Sequence, residues 1–258
     1  MLGISRQAIY QRKNRRVHEQ DRTEEIVERV RDLRALMPRV GGRKLREHCS
    51  DLGLGRDKFF EILRNQGLLV KRRRSYTITT NSDHELPVYP NLLGANTVER
   101  PNQVWVADQT YIRLRHRFCY LSLVTDLYSR KIVGYDVSPT LEATGPLAAL
   151  RRAMQATSGD VRDLIHHSDR GKQYCSKIYT ECLTEHHCKL SMTLPRRPDQ
   201  NAVAERVNGI LKTEFYLDAT FTSIEEVRRA IDQAVYIYNN IRLHFTLGLT
   251  TPSSRYAA

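Results

Sequence analysis

The segment Val104-Trp-Val-Ala-Asp-Gln-Thr-Tyr-Ile-Arg-Leu114 decides the fold. It alternates in part between apolar and polar residues and is rich in β-branched and aromatic types, so it reads as a strand. One carboxylate, Asp108, sits inside it. Phe118–Thr125 and Lys131–Val137 read as two more strands after short turns. Leu141–Ala156 reads as a helix, Asp163–His167 as a short buried strand, Lys177–His187 as a helix and Lys189–Met192 as a short strand. Helices over Asn201–Glu214 and Ile224–Asn240 complete the series. This order is the texture of an α/β domain.

Upstream the texture is different. Residues 75–100 carry Thr77, Thr79, Thr80, Asn81 and Ser82, two prolines with a third at Pro101, and few periodic apolar positions, and read as a linker. Residues 1–74 are helical in pattern. Ser5 can cap a helix starting at Arg6 that carries Ala8, Ile9 and Tyr10; this is either the second helix of a unit whose first is missing or a frayed terminal helix. Residues 23–37 form an amphipathic helix with Ile26, Val30 and Leu33 on one face and Pro38 as its stop. Gly41-Gly42 opens a helix with Leu45 and Cys49 inward. Gly53 and Gly55 mark a turn, and a helix from about Asp57 to Asn65 is closed by Gly67. Two short helices joined by a Gly-containing turn have a helix-turn-helix shape, in which Arg56, Lys58 and Arg64 face DNA.

Charge agrees with that assignment. The 258 residues hold 41 Lys+Arg against 29 Asp+Glu, a net charge of +12. A polyanionic partner is the simplest explanation, since each cation placed on a phosphate releases a counterion; a merely soluble basic protein is the alternative. The runs Arg12-Lys13-Asn14-Arg15-Arg16 and Lys71-Arg72-Arg73-Arg74 flank the helical region. They read as the rims of a DNA-binding unit or as a basic signal or solvated tail. The five cysteines are odd in number and form no C-x-x-C, so no disulfide framework is expected. No apolar run reaches membrane-span length, and no secretory leader is legible. A cytoplasmic protein with reduced thiols is expected.

Three acids stand where this pattern can build a metal site. Asp108 lies within the first strand, Asp169 ends the fourth in His166-His-Ser-Asp169-Arg-Gly, and Glu205 rides the penultimate helix in Asn201-Ala-Val-Ala-Glu205-Arg-Val-Asn208. Carboxylates are hard oxygen ligands suited to Mg²⁺ or Mn²⁺. Two such ions roughly 3.5–4 Å apart can clamp the attacking and leaving oxygens of a phosphoryl displacement. On a helical wheel Glu205 shares a face with Asn201, Asn208 and Lys212, while Val203, Val207, Ile210 and Leu211 lie opposite. An ordinary amphipathic helix with an exposed Glu has the same pattern.

Four motifs decide between these. Trp105 to Tyr111, Thr125-Asp-Leu-Tyr-Ser-Arg-Lys-Ile-Val-Gly134, His166-His-Ser-Asp-Arg-Gly-Lys-Gln-Tyr174 and Asn201-Ala-Val-Ala-Glu-Arg-Val-Asn-Gly-Ile-Leu-Lys-Thr-Glu214 together resemble the DDE transposase/integrase superfamily. The nearest resemblance is to the second-frame (OrfB) product of insertion sequences of the IS3 family. It runs over nearly the whole chain. It implies an α/β ribonuclease-H-like core with a mixed five-stranded sheet over residues 101–258, preceded by a small all-α DNA-binding region. It implies Asp108, Asp169 and Glu205 as catalytic, metal-binding residues, with 35 residues between the last two. The implied activity is metal-dependent DNA cleavage and strand transfer, with water and then a 3′-hydroxyl as nucleophile. The implied partners are transposon-end and target DNA, further copies of the chain on DNA, and an upstream-frame product or a fusion with it. Ala107 stands where Thr or Ser is common, Gln200 where Asp or Glu is common, and Arg196-Arg197 where Gly is common. The first two substitutions favour, mildly, an alternative: a DNA-binding relic or regulator of transposition with weak or no turnover. A ribonuclease-H-like nuclease without transposition is a third reading, which the basic N-terminal region disfavours.

Other residues have humbler readings. Lys212, Arg196 and Arg197 are placed for DNA phosphates, Lys212 otherwise being a solvated helix lysine. Asp126 is either a group supporting the metal centre or a turn Asp beside Ser129. Of His166 and His167, one must face the core, which favours packing over ligation. Cys175, Cys182, His186, His187 and Cys188 suit zinc in composition but not in spacing. Trp105 is expected in the core.

Overall fold

The computed structural model describes residues 5–70, 86–93, 98–157, 161–195 and 197–258. The chain divides into two compact units, Met1–Ser75 and Tyr76–Ala258.

The first unit is helical. Ser5 caps α1 (Arg6–Leu36), its side chain accepting from the Ala8 N–H at 3.2 Å. The two helical stretches read from sequence are one helix of 31 residues. No Gly or Pro interrupts it, and its polar first part is of good helix formers. Only its last third is buried, through Ile26, Val27 and Val30. There it packs with α2 (Gly42–His48) and α3 (Arg56–Asn65) around Met37, Val40, Leu45, Phe59 and Leu63. Gly53 turns the chain between α2 and α3 at φ 64°, a conformation that glycine adopts without strain. The run Lys71 to Arg74 lies outside the described residues.

The second unit is built on one sheet. β1 (Val104–Leu114), β2 (Phe118–Asp126) and β3 (Ile132–Ser138) form an antiparallel meander. β4 (Ile165–Ser168) runs parallel to β1, and β5 (Lys189–Met192) parallel to β4, giving the order β3-β2-β1-β4-β5. A sixth strand, β6 (Thr220–Phe221), pairs with the far end of β1; at two residues it is too short to leave a sequence pattern. The mixed sheet and its helices are the ribonuclease-H-like arrangement.

Both faces are covered, which explains the near-continuous apolar runs in the strands. On one face α4 (Thr144–Ala156), α5 (Lys172–Cys175) and α6 (Lys177–Glu185) enclose Trp105, Ala107 and Val124. On the other, α7 (Ala202–Glu214) and α8 (Ile224–Asn240) pack on Ile112, Leu114, Leu121 and Leu123. A short helix, α9 (Pro252–Ala257), ends the chain and packs on α8. Gly134 in β3 is required by close approach: a Cβ there would overlap the Ala149 carbonyl and lie 2.8 Å from the Ala153 Cβ.

Part of the stretch read as a linker is packed. The Leu92 N–H donates to Ser191 Oγ at 2.9 Å and the Met192 N–H to the Pro90 carbonyl at 3.3 Å, so these residues flank β5. Tyr89 and Leu93 each join a core cluster.

Candidate active centre

β1 alternates its side chains between the two faces. Trp105 and Ala107 point to α4 and its neighbours, whereas Val104 and Val106 pack with Ala204 of α7. Asp108 therefore points toward α7. There Asn208 Nδ2 donates to Asp108 Oδ2 at 2.8 Å, and the Gln109 N–H donates to Oδ1 at 2.9 Å. Burial, then the charges of Asp169 and Glu205, push the Asp108 carboxyl up to about 7 against those two hydrogen bonds.

Asp169 follows β4, whose Ser168 pairs with Ala107 of β1. The Gly171 N–H donates to Asp169 Oδ1 at 2.9 Å, which fixes the turn after the strand. Glu205 is exposed on the first part of α7. Its carboxyl is raised by desolvation and by Asp169. The three sequence-predicted acids thus share one electrostatic neighbourhood. Among the described residues, no three His, Cys, Asp or Glu side chains converge closely enough to hold a metal ion as they stand.

α7 is seated by asparagines that sequence reasoning named only as polar neighbours. Asn201 Nδ2 donates to the Ala107 carbonyl at 3.0 Å, tying the start of α7 to β1 beside Asp108. Both Asn201 and Asn208 keep a buried Oδ1 with no partner among the described residues. Lys212, two turns after Glu205, is half-buried rather than solvated, its Nζ 4.3 Å from the centre of the Tyr111 ring. Desolvation lowers its pKa, opposed by Asp108 and Asp218. Tyr174 closes one of the four sequence motifs but was assigned no role there. Its hydroxyl is buried without a partner among the described residues, and burial and Tyr179, then the Asp108 and Asp169 charges, hold it protonated.

The remaining candidates fall elsewhere. Asp126 is fully buried and is a turn residue: its Oδ1 accepts from the Ser129 N–H at 2.7 Å and from the Ser129 hydroxyl, and its Oδ2 from the Asn102 N–H at 2.8 Å. His166 and His167 are both buried, not one, because helices cover both faces of the sheet. His166 Nε2 is 2.9 Å from Tyr179 Oη, and His167 Nδ1 is 2.8 Å from Ser191 Oγ. Cys175, Cys182 and Cys188 are buried and free. Arg197 is exposed and grips Asp199 through two bonds of 2.9 and 2.8 Å; Arg196 lies outside the described residues. In the helical unit Arg56, Lys58 and Arg64 are exposed, with Asp57 at 3.5 Å from Arg56 and Glu61 at 3.3 Å from Lys58.

Comparison with known proteins agrees with this fold. Two integrase core domain profiles match residues 98–198 and 186–252. The fold and these matches define an integrase-core polynucleotidyl transferase. The 31 kDa protein of insertion element IS600 from Shigella sonnei is 34% identical over 98% of this chain and 95% of its own length. The transposase InsF of insertion sequence IS3A from Escherichia coli K12 is 35% identical over 74% of this chain and 66% of its own. The chain belongs to the IS3 family of insertion-sequence transposases. Among solved structures, the simian T-cell lymphotropic virus intasome with the PP2A subunit B56 gamma matches 88% of this chain and 74% of its own with a TM-score of 0.52. At 18% identity that likeness speaks for the fold alone. No helix among the described residues is long and apolar enough to cross a membrane.

Proposed function

We propose that Asp108, Asp169 and Glu205 are the catalytic carboxylates of a DDE-type transposase, which cleaves DNA strands and joins them to a target. The observation that carries this reading is the state of Asp108. Burial and two neighbouring acids raise the Asp108 carboxyl to about 7, so a cation placed among the three acids would favour its charged form. An all-oxygen donor set of this kind fits Mg²⁺ or Mn²⁺, and its acids repel one another until a cation arrives. Bound there, two such ions would supply Lewis-acid activation of the attacking oxygen and stabilisation of the leaving one.

The chain's own residues do the positioning. Asn208 and the Gln109 N–H fix the Asp108 carboxylate on a rigid strand. The Gly171 N–H fixes Asp169. Glu205 is the adjustable member, exposed on a helix. Lys212 is held by Tyr111 where a scissile-strand phosphate can meet it. Arg196 and Arg197 in the loop before α7, and Arg56, Lys58 and Arg64 of the helical region 1–74, contribute backbone contacts. The protein works on transposon-end and target DNA in the cytoplasm, as several copies on DNA, with an upstream-frame product or as a fusion with it.

The test is strand cleavage of a duplex containing the element's terminal repeats, with Mg²⁺, by the wild type and by Asp108→Asn, Asp169→Asn and Glu205→Gln. Loss of cleavage with retained DNA binding is expected for each. Near-normal cleavage by any one would refute its assignment.

A further inference from the structure

The end of the sheet where β1 begins and β2 finishes carries groups that the carboxylate centre does not use. A cleft of about 540 Å³ opens there, lined by Val98, Leu127, Tyr128, Arg130, Leu247 and Arg255. Arg130 enters it from the turn after β2 at φ 64°, a left-handed conformation that a non-glycine residue keeps only when its surroundings demand it. Its Nη1 is buried with no acceptor among the described residues. Arg255 of α9 lies 4.2 Å from the centre of the Tyr128 ring. Beside the cleft, Lys131 Nζ lies 4.1 Å from the centre of the Tyr256 ring, whose hydroxyl donates to Asn102 Oδ1 at 2.8 Å.

These three cations are short of acceptors. Among the described residues none of Arg130, Lys131 and Arg255 forms an ion pair. Asp126 is felt by Arg130 and Lys131, but its oxygens already accept from Asn102 and Ser129. A guanidinium stacked on a tyrosine keeps its N–H edges free, the geometry that suits phosphate oxygens. Two aromatic rings, each with a cation over it, suit a nucleic-acid strand, which offers successive phosphates, better than a single small anion.

Position links the cleft to the active centre. Its walls Val98 and Leu127 pack with Val104, Val106, Val203 and Ala204, on the face toward which Asp108 points. The Leu127 N–H donates to the Val104 carbonyl at 2.9 Å, so the cleft floor meets β1 at Val104. From Val104 to Asp108 is roughly 13 Å along a strand. That is about four base pairs of duplex. We propose that this cleft is a second DNA-backbone site, in which Arg130, Lys131 and Arg255 hold phosphates of the DNA whose scissile strand lies on the carboxylates. The assignment rests on the transposase reading for its ligand.

The experiment measures binding of the full chain to an arbitrary duplex of about 30 base pairs across a KCl series without divalent metal. Loss of two phosphate contacts should make the slope of log K against log salt shallower by about 1.8 in Lys131→Gln/Arg255→Gln and weaken binding at moderate salt roughly tenfold. Arg255→Gln alone, at an exposed position, should change the slope by about 0.9. It carries the test if the double variant melts early. Lys177→Gln/Lys189→Gln, which removes two exposed cations elsewhere, should leave the slope near wild type. An unchanged slope in the cleft variants, or an equal change in the control pair, overturns the proposal. So does inorganic phosphate at low millimolar concentration that raises the melting temperature of the wild type but not of the double variant, since the site is then a small-anion pocket. Because no step here requires cleavage, failure of the wild type to cut end-containing DNA would sink the transposase reading and leave this result standing.

Discussion

Asp108 and Asp126 sit on paired strands, three residues of register apart, and are opposite in kind. Asp126 has three donors from its own turn and from Asn102, and no acid of the carboxylate centre acts on it. Asp108 has two donors and two acids pressing on it. Both are raised by burial, so burial alone does not separate them. What separates them is the sign of the neighbours. The charge of Asp126 is answered locally by the chain, whereas on the proposed reading that of Asp108 is left for something outside the chain to answer.

The largest test of this contrast is catalytic. Asp108→Asn should cut the rate of strand cleavage on the order of a thousandfold or more, equivalent to about 4 kcal/mol of barrier. In the absence of divalent metal the same variant should melt at or above the wild-type temperature, because it removes a repelled charge. A lower melting temperature would mean that Asp108 is as structural as Asp126. Asp126→Ala should do the reverse. It leaves the Asn102 and Ser129 N–H groups without their acceptor, at about 1–3 kcal/mol for each group, a fall of roughly 4–24 °C in Tm. Its cleavage activity below that transition should persist.

A smaller effect sharpens the comparison further. Mn²⁺ at a hundredfold over its Kd should stabilise the wild type by about 2.7 kcal/mol. Asp108→Asn should lose most of that gain and Glu205→Gln much of it, while Asp126→Ala should keep it. Melting curves with and without metal decide the matter, and an identical shift in all four proteins would place the ions elsewhere.

The most gradual effect, spread over several pH units, concerns the histidine on the opposite face. Burial, and then His167, hold the His166 imidazole down to about 3, against an ordinary 6.5. Between those values the unfolded chain takes up a proton that the folded one refuses. Stability from this group is therefore complete above pH 6.5 and is lost as pH falls toward 3, by at most about 1.4 kcal/mol per pH unit. His166→Gln should flatten the acid limb of a Tm-against-pH curve; an unchanged limb would assign it to other groups.

The sequence was most legible where a short run carries both pattern and chemistry. Asp108 could be read inside its strand, and Glu205 on the polar stripe of its helix, because each signal is local. The same holds for β5 and α8, whose ends fall where the apolar pattern breaks. The pattern was misleading where tertiary cover overrides it. Alternation in His166-His167 required one ring in the core and favoured packing, and a sheet covered on both faces buries both. Residues 89–93 look like a linker because their partners, such as Ser191, lie about a hundred positions away. The basic cleft was illegible for the same reason, since it joins Arg130 to Arg255, and nothing in either segment names the other.

Gly134 has a bearing on motion. With no Cβ between them, the backbones of β3 and α4 touch directly, and Ala149 and Ala153 give no long side chain to repack. Sliding of that helix would drive one main chain into another, so strand and helix must travel as a single body. Any adjustment needed to gather the acids around a cargo of ions and DNA is then denied to this layer. On the proposed carboxylate reading it would be taken up across the sheet, where Glu205 lies exposed on its helix, which would make one layer of the protein the anvil and the other the hammer.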